Sequence, residues 1–239
     1  MELAEDLLPE RLAELLPGRP IRTYPALLST QADALGWARA DAPEGALVVA
    51  DYQASPRGRS GLEWTVRAGA DLAFSLVLRP RLPPEREGWL YTVALSGLAD
   101  ALGRGTTVEW PDEARRSGVR AGAVGVHVEL GPQRTEWAVV NVLALDTPPP
   151  RARLLARTVE AIERRYRSPT AKVLADYLRR CETVGRSVRA RMIPLGPGGA
   201  EISGKAVTAL PDGALVLETA AGRRVAVRPQ HLGLLEPAA

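Results

Sequence analysis

Two arginines flank a single glycine at Arg57-Gly58-Arg59, inside the run Tyr52-Gln-Ala-Ser-Pro-Arg-Gly-Arg-Ser-Gly-Leu-Glu-Trp64. Guanidinium groups present planar forks that match carboxylate or phosphate, so the pair suits an anion. Gly58 and Gly61 allow backbone N–H groups to approach that anion closely, and Trp64 offers a face on which a ring stacks. The chemistry is therefore that of an anion cradle under an aromatic lid. An ordinary solvated turn is the alternative reading of the same residues.

The flanking segments must position this run. Ala46 to Tyr52 reads as an apolar strand leading into it, and Asp71 to Leu78 as an alternating strand receiving its far end. The loop thus joins strand to strand and does not cap a helix. Upstream, Leu3 to Leu16 has helical spacing interrupted by Pro9, Ile21 to Tyr24 reads as a short strand, and Ser29 or Thr30 caps a helix toward Ala40. Downstream, a helical pattern covers Pro84 to Leu102. Strands follow at Thr106 to Trp110, Ala121 to Leu130 and Thr135 to Ala144, and helices at Arg151 to Arg167 and Pro169 to Arg180. Arg115-Arg116 reads as a solvated turn. From Val188 onward, short strands are punctuated by turns at Ile193 to Gly199, Pro211 to Gly213 and Ala220 to Gly222, which implies a small barrel.

Composition narrows the chemistry further. With 239 residues and 46% of them hydrophobic, the chain can bury a sizeable core. It has one cysteine, Cys181, and two histidines, His127 and His231, which leaves no disulfide framework, no Cys/His zinc cluster and little support for a thiol or Ser-His-Asp mechanism. The formal charge of +3 falls short of a nucleic-acid signature and suits an acidic protein partner. No apolar run approaches a membrane span, and the acidic start is unlike a secretory signal, so a cytoplasmic location is expected. The only lysines are Lys172 and Lys205.

In order and spacing these segments resemble the biotin protein ligase family, from about Ile21 to Glu236. Ser29-Thr-Gln31 is similar to its Ser-Thr-Asn motif. Gln53 with Arg57-Gly-Arg59-x-Gly61-x-x-Trp64 resembles its Gly-Arg-Gly-Arg-x-Gly-Arg-x-Trp loop, and Glu109-Trp-Pro-Asp-Glu113 its Lys-Trp-Pro-Asn-Asp. The resemblance implies an α+β fold: a mixed sheet flanked by helices over residues 1–186, then a C-terminal SH3-like small barrel over 187–239, without an N-terminal DNA-binding domain. It implies ATP-dependent activation of biotin to biotinyl adenylate, with Mg2+, and transfer to a lysine of a biotin carboxyl carrier domain; a homodimer is compatible with it. On this reading Arg59 and Arg120 are catalytic. Ser29, Thr30, Gln53, Arg57, Gly58, Gly61, Trp64 and Asp112 bind the two small molecules, and no protein residue is assigned to a metal.

The chain departs from the family pattern at four places. The lysine downstream of the Trp-Pro-Asn-Asp motif is matched by Arg120 or Gly122. Pro56 stands where a glycine opens the arginine loop. Asp112 stands for asparagine, which puts a carboxylate near the expected phosphates. Along Ala138 to Leu145, side chains replace the family's glycines and narrow the pocket. The second expectation is accordingly a degenerate relative that binds a ligand or partner without making an adenylate. A lipoate-type ligase or acyltransferase is the third.

Overall fold

The computed structural model describes residues 2–196 and 199–238, so residues 197–198 of the turn expected between Ile193 and Gly199 lie outside it. Two sheets organise the chain. The first has seven strands in the order β1-β2-β3-β7-β6-β5-β4: β1 Ile21–Leu27, β2 Leu47–Gln53, β3 Leu72–Leu78, β4 Thr106–Glu109, β5 Glu113–Arg116, β6 Val119–Leu130 and β7 Thr135–Ala144. Only β1 and β2 run parallel and every other pair is antiparallel, so the sheet is mixed. The second has five antiparallel strands, ordered β11-β10-β9-β8-β12, with β8 Ser187–Met192, β9 Glu201–Ala209, β10 Leu215–Glu218, β11 Arg224–Val227 and β12 Leu232–Pro237.

Helices α1 Pro9–Leu15, α2 Thr30–Arg39, α3 Trp89–Leu102, α4 Arg151–Arg167 and α5 Thr170–Arg180 cover the seven-stranded sheet. Two-residue alternation sends Leu72, Phe74, Leu76 and Leu78 of β3 into a core shared with α3 and α4. Val77 instead joins Val48, Val139 and the small face of α2 made by Ala34 and Ala38. Because both faces are covered, β3 is buried at all seven positions. Its polar exception, Ser75, is therefore buried too, where the sequence reading expected only an alternating strand. Glu113–Arg116 is the other correction. It is a strand, joined to β6 by Ser117 and Gly118 at φ of 51° and 76°. Two successive positive φ values make a tight hairpin whose twist suits the flanking strands.

The N-terminal segment is tied to this body by charge. Arg151 at the start of α4 is about 1% exposed; it donates to Asp6 Oδ1 at 2.7 Å and to Asp51 Oδ1 of β2 at 2.5 Å. Leu7, Leu12 and Leu16 add apolar burial to the same contact.

Candidate functional site

Strand β2 delivers the arginine loop onto the face of the sheet that carries α2. Two rows of cross-strand partners lie under it: Ser75, Asn141 and Gly125, and beside them Ala73, Leu143 and Ala123. The loop backbone lies directly on Gly125, where a Cβ would come within 2.9 Å of the Gly58 carbonyl carbon and 3.1 Å of Arg59 N. Trp64 folds beneath the loop, 9% exposed, and packs with Val66, Ala73, Ala123 and Leu143. Its indole occupies the space a Gly58 side chain would need, so Gly58 is explained by packing. The Gly58 N–H is already given to Leu62 O at 2.7 Å. Gly61, at φ 74°, supplies the left-handed turn.

Beneath the loop's start, polar groups satisfy one another. Gln53 Oε1 accepts from Thr30 N at 2.8 Å and from Thr30 Oγ1 at 3.1 Å; Ser75 Oγ stands 2.9 Å from Thr30 Oγ1 and 2.8 Å from Asn141 Oδ1. Ser29 precedes α2 with its Oγ buried and without a partner, as is Asn141 Nδ2. Thr30 spends its proton on Gln53, which leaves one Ser75 proton for two short contacts. Turning the Asn141 amide so that its nitrogen faces Ser75 supplies the missing proton and makes one continuous donor chain. Sequence reading passed over Ser75 and Gly125. The signal for Ser75 was a single hydroxyl inside the apolar run LAFSLVL.

Every cation at the site meets a carboxylate. Arg59, 4% exposed, donates from Nε to Asp112 Oδ2 at 3.2 Å and from Nη2 to the carbonyl of Gly233 at 3.4 Å, while Nη1 donates to the carbonyl of Leu232. Two of its partners thus belong to the second sheet. Arg57 pairs with Glu63 at 2.8 Å, Arg120 with Glu113 at 3.3 Å, and Arg115 with Glu109 at 2.8 Å. Arg115 is consequently part of this ionic cluster, unlike the solvated turn the sequence suggested. Burial pushes the Asp112 carboxyl above its ordinary range; Arg59 opposes the shift and Glu113 adds to it. Trp110 is pinned as well: its Nε1 donates to Gly213 O of the second sheet's β9–β10 turn at 2.9 Å.

Two cavities flank the loop. One, of about 280 Å³, is lined by Arg59, Trp64, Trp110, Asp112, Glu113 and Arg120 among others. The other, of about 330 Å³, is lined by Gly58, Ser60, Glu87, Tyr91, His127 and Gln230 among others. The structure therefore brings Arg59, Arg120, Trp64 and Asp112 around one space, while Ser29, Thr30 and Gln53 line neither cavity. His127 stacks on Trp137 at 5.8 Å, and burial lowers its pKa from the ordinary value. Cys181 is a buried residue at the end of α5. Among the described residues no three His, Cys, Asp or Glu side chains converge as a metal site, and no helix is long and apolar enough to cross a membrane.

The chain is 29% identical over 225 residues to the biotin--[acetyl-CoA-carboxylase] ligase of Mycobacterium tuberculosis, covering 83% of each protein. In sequence and in fold the chain is similar to biotin protein ligases. It is also 30% identical over 129 residues to the bifunctional ligase/repressor BirA of Bacillus subtilis, a match covering 52% of this chain and 40% of that one. In structure, the biotin protein ligase of Aquifex aeolicus in complex with biotin and ATP superposes with a TM-score of 0.70 at 18% identity, covering 92% of this chain and 99% of that one. This likeness supports the shared fold. No protein-family model matches the chain.

The loop's contact with the sheet depends on Gly125. Gly125→Val puts branched carbons into the Gly58 and Arg59 backbone, so the loop must lift. Trypsin should then cut rapidly after Arg59, which is protected in the native protein. Equal cleavage rates in the two proteins would show that the loop does not rest on the sheet.

Proposed function

We propose that this protein is a catalytically silent biotin ligase relative that keeps the arginine loop as a structural tie and binds a ligand or partner without forming an adenylate. The observation that carries the reading is Arg59, held between Asp112 and the carbonyls of Leu232 and Gly233. Joining a carboxylate to the α-phosphate of ATP brings two anions together and builds charge at phosphorus, so free cations must face them. Here Arg57, Arg59, Arg115 and Arg120 are offset by Glu63, Asp112, Glu109 and Glu113. The residues present do not fit a triphosphate, and no residue can be named for Mg2+. At the polar end Thr30, Gln53, Ser75 and Asn141 bond to each other, which leaves Ser29 Oγ and one amide atom of Asn141 for a ligand.

The second reading is an active ATP-dependent ligase that makes biotinyl adenylate and transfers biotin to a carrier-domain lysine in the cytoplasm. What favours it is the 29% identity with the M. tuberculosis ligase across 83% of both chains, together with retained Gln53, Arg57, Arg59 and Trp64. In it, Arg59 leaves Asp112 for phosphate, Arg120 replaces the family's lysine, and Gly58 and Gly61 line the closed loop. Under either reading, residues 1–186 form the ligase-like domain and 187–239 the barrel domain.

Incubating the protein with biotin and MgATP, denaturing it and searching for biotinyl adenylate by mass spectrometry separates the two. The silent reading expects no more adenylate than a protein-free control. Adenylate above that control establishes the ligase.

A further inference from the structure

We propose that a groove of about 420 Å³ beside the start of α4 is a binding site for an anion carrying an apolar stem, such as an alkyl phosphate or alkyl carboxylate. It lies away from the arginine loop and owes nothing to the reading above. Arg116, Arg153 and Arg157 stand around it, and its apolar lining comes chiefly from Leu102, Leu145 and Leu154. Volumes of this size hold small organic molecules.

Arginines elsewhere in the fold are closely matched: Arg151 and Arg165 each sit between two aspartates, and Arg67 between Asp71 and Asp146. Among the described residues, no carboxylate lies within ion-pair distance of Arg116, Arg153 or Arg157. The one acidic residue on the groove, Asp146, shares Arg67 with Asp71 and lies 2.7 Å from it. Arg116 uses one nitrogen on the carbonyl of Leu102, the last residue of α3, which fixes its head at the rim. Three guanidiniums therefore line the groove against one exposed carboxylate.

Two of them sit at the start of α4. The first turn of α4 carries no acidic residue of its own, and the Asp6 carboxylate accepts from its first N–H, that of Arg151, at 2.7 Å. Arg153 occupies that turn instead, and Arg157 follows one turn later on the same face. Both are exposed and without a carboxylate partner, so an anion in the groove meets two guanidiniums one helical turn apart. Leucines beneath the arginines make an apolar stem on that anion favourable, because they remain partly exposed to water while the groove is open.

Calorimetric titrations with octyl phosphate and with inorganic phosphate test the proposal and separate a stemmed anion from a bare one. Octyl phosphate should bind saturably at one site, about tenfold tighter than inorganic phosphate, and Arg153→Gln/Arg157→Gln should weaken it by about tenfold or more. Both substitutions are on an exposed helical face and glutamine is a good helix former, so the melting temperature should stay unchanged. Leu154→Asn should weaken octyl phosphate while leaving inorganic phosphate as it was. Absence of saturable octyl phosphate binding, equal affinity for the two probes, or undiminished affinity in the double arginine variant would each overturn the site.

Discussion

Asp112→Asn should raise the affinity for MgATP by about tenfold to a hundredfold. In the native protein the carboxylate lies 3.2 Å from Arg59 and beside Glu113 in a buried corner, so an incoming phosphate meets a like charge and a cation already neutralised. At about 4 Å and an effective dielectric near 20, that repulsion is worth up to roughly 4 kcal/mol, and opening of the cavity to water reduces it. Asparagine keeps an acceptor for Arg59 without the charge. Arg120→Lys alone should gain little, because Glu113, 3.3 Å from Arg120, would hold an ammonium as it holds the guanidinium.

A stability readout accompanies the binding one. The folded-state pKa of Asp112 lies above the ordinary aspartate value of 3.8, so the folded protein binds this proton more tightly than the unfolded chain. Its contribution is fully present below pH 3.8 and is lost as pH rises through the folded pKa. Asp112→Asn should remove that part of the pH profile. Calorimetry with MgATP and chemical denaturation at several pH values check both results. An unchanged nucleotide affinity would place the block in the barrel carbonyls on Arg59 instead of in the charge of Asp112.

Arg151→Met should destabilise the protein by roughly 3 kcal/mol, because it strands half-buried Asp6 and buried Asp51 without their cation. Burial alone would push the Asp6 carboxyl up, but the hydrogen bonds and charge of Arg151 outweigh it and hold the pKa below the ordinary value. Its stabilisation is thus present above pH 3.8 and is lost as pH falls through the depressed pKa. The variant should lose this acid-side dependence, release the segment before α1 to protease, and leave Asp51 of β2 satisfied only by Gly69 N at 3.2 Å. A loss below about 1 kcal/mol in urea unfolding would mean that the two aspartates find water readily.

Local chemistry explains which elements were legible. The run before Gly18, the apolar pattern ending at Gly103, and Pro169 ahead of α5 each carry a terminator or starter whose effect is confined to a few residues. Strand β5 was missed because EARR has no apolar face of its own and draws its pairing from β4 and β6. Its Ser117-Gly118 turn was the readable signal. Seven buried positions in β3 likewise reflect helices on both sides of the sheet, which periodicity within one strand cannot report.

The site divides along the same line. Residue order alone determined that arginines, glycines and a tryptophan would travel together on one strand-to-strand loop, and that Asp112 would bring a carboxylate into the Trp-Pro motif. Only the tertiary structure decided what those groups do for one another. Arg59 meets Asp112 across 53 residues and the Leu232 carbonyl across 173. Gln53 meets Thr30, Ser75 meets Asn141 across 66 residues, and Gly125 admits the loop. A charge or hydroxyl has a fixed chemistry in the sequence, but whether it faces a ligand depends on partners brought near by folding. In a buried site those partners claim it first, because an unpaired polar group there is costly.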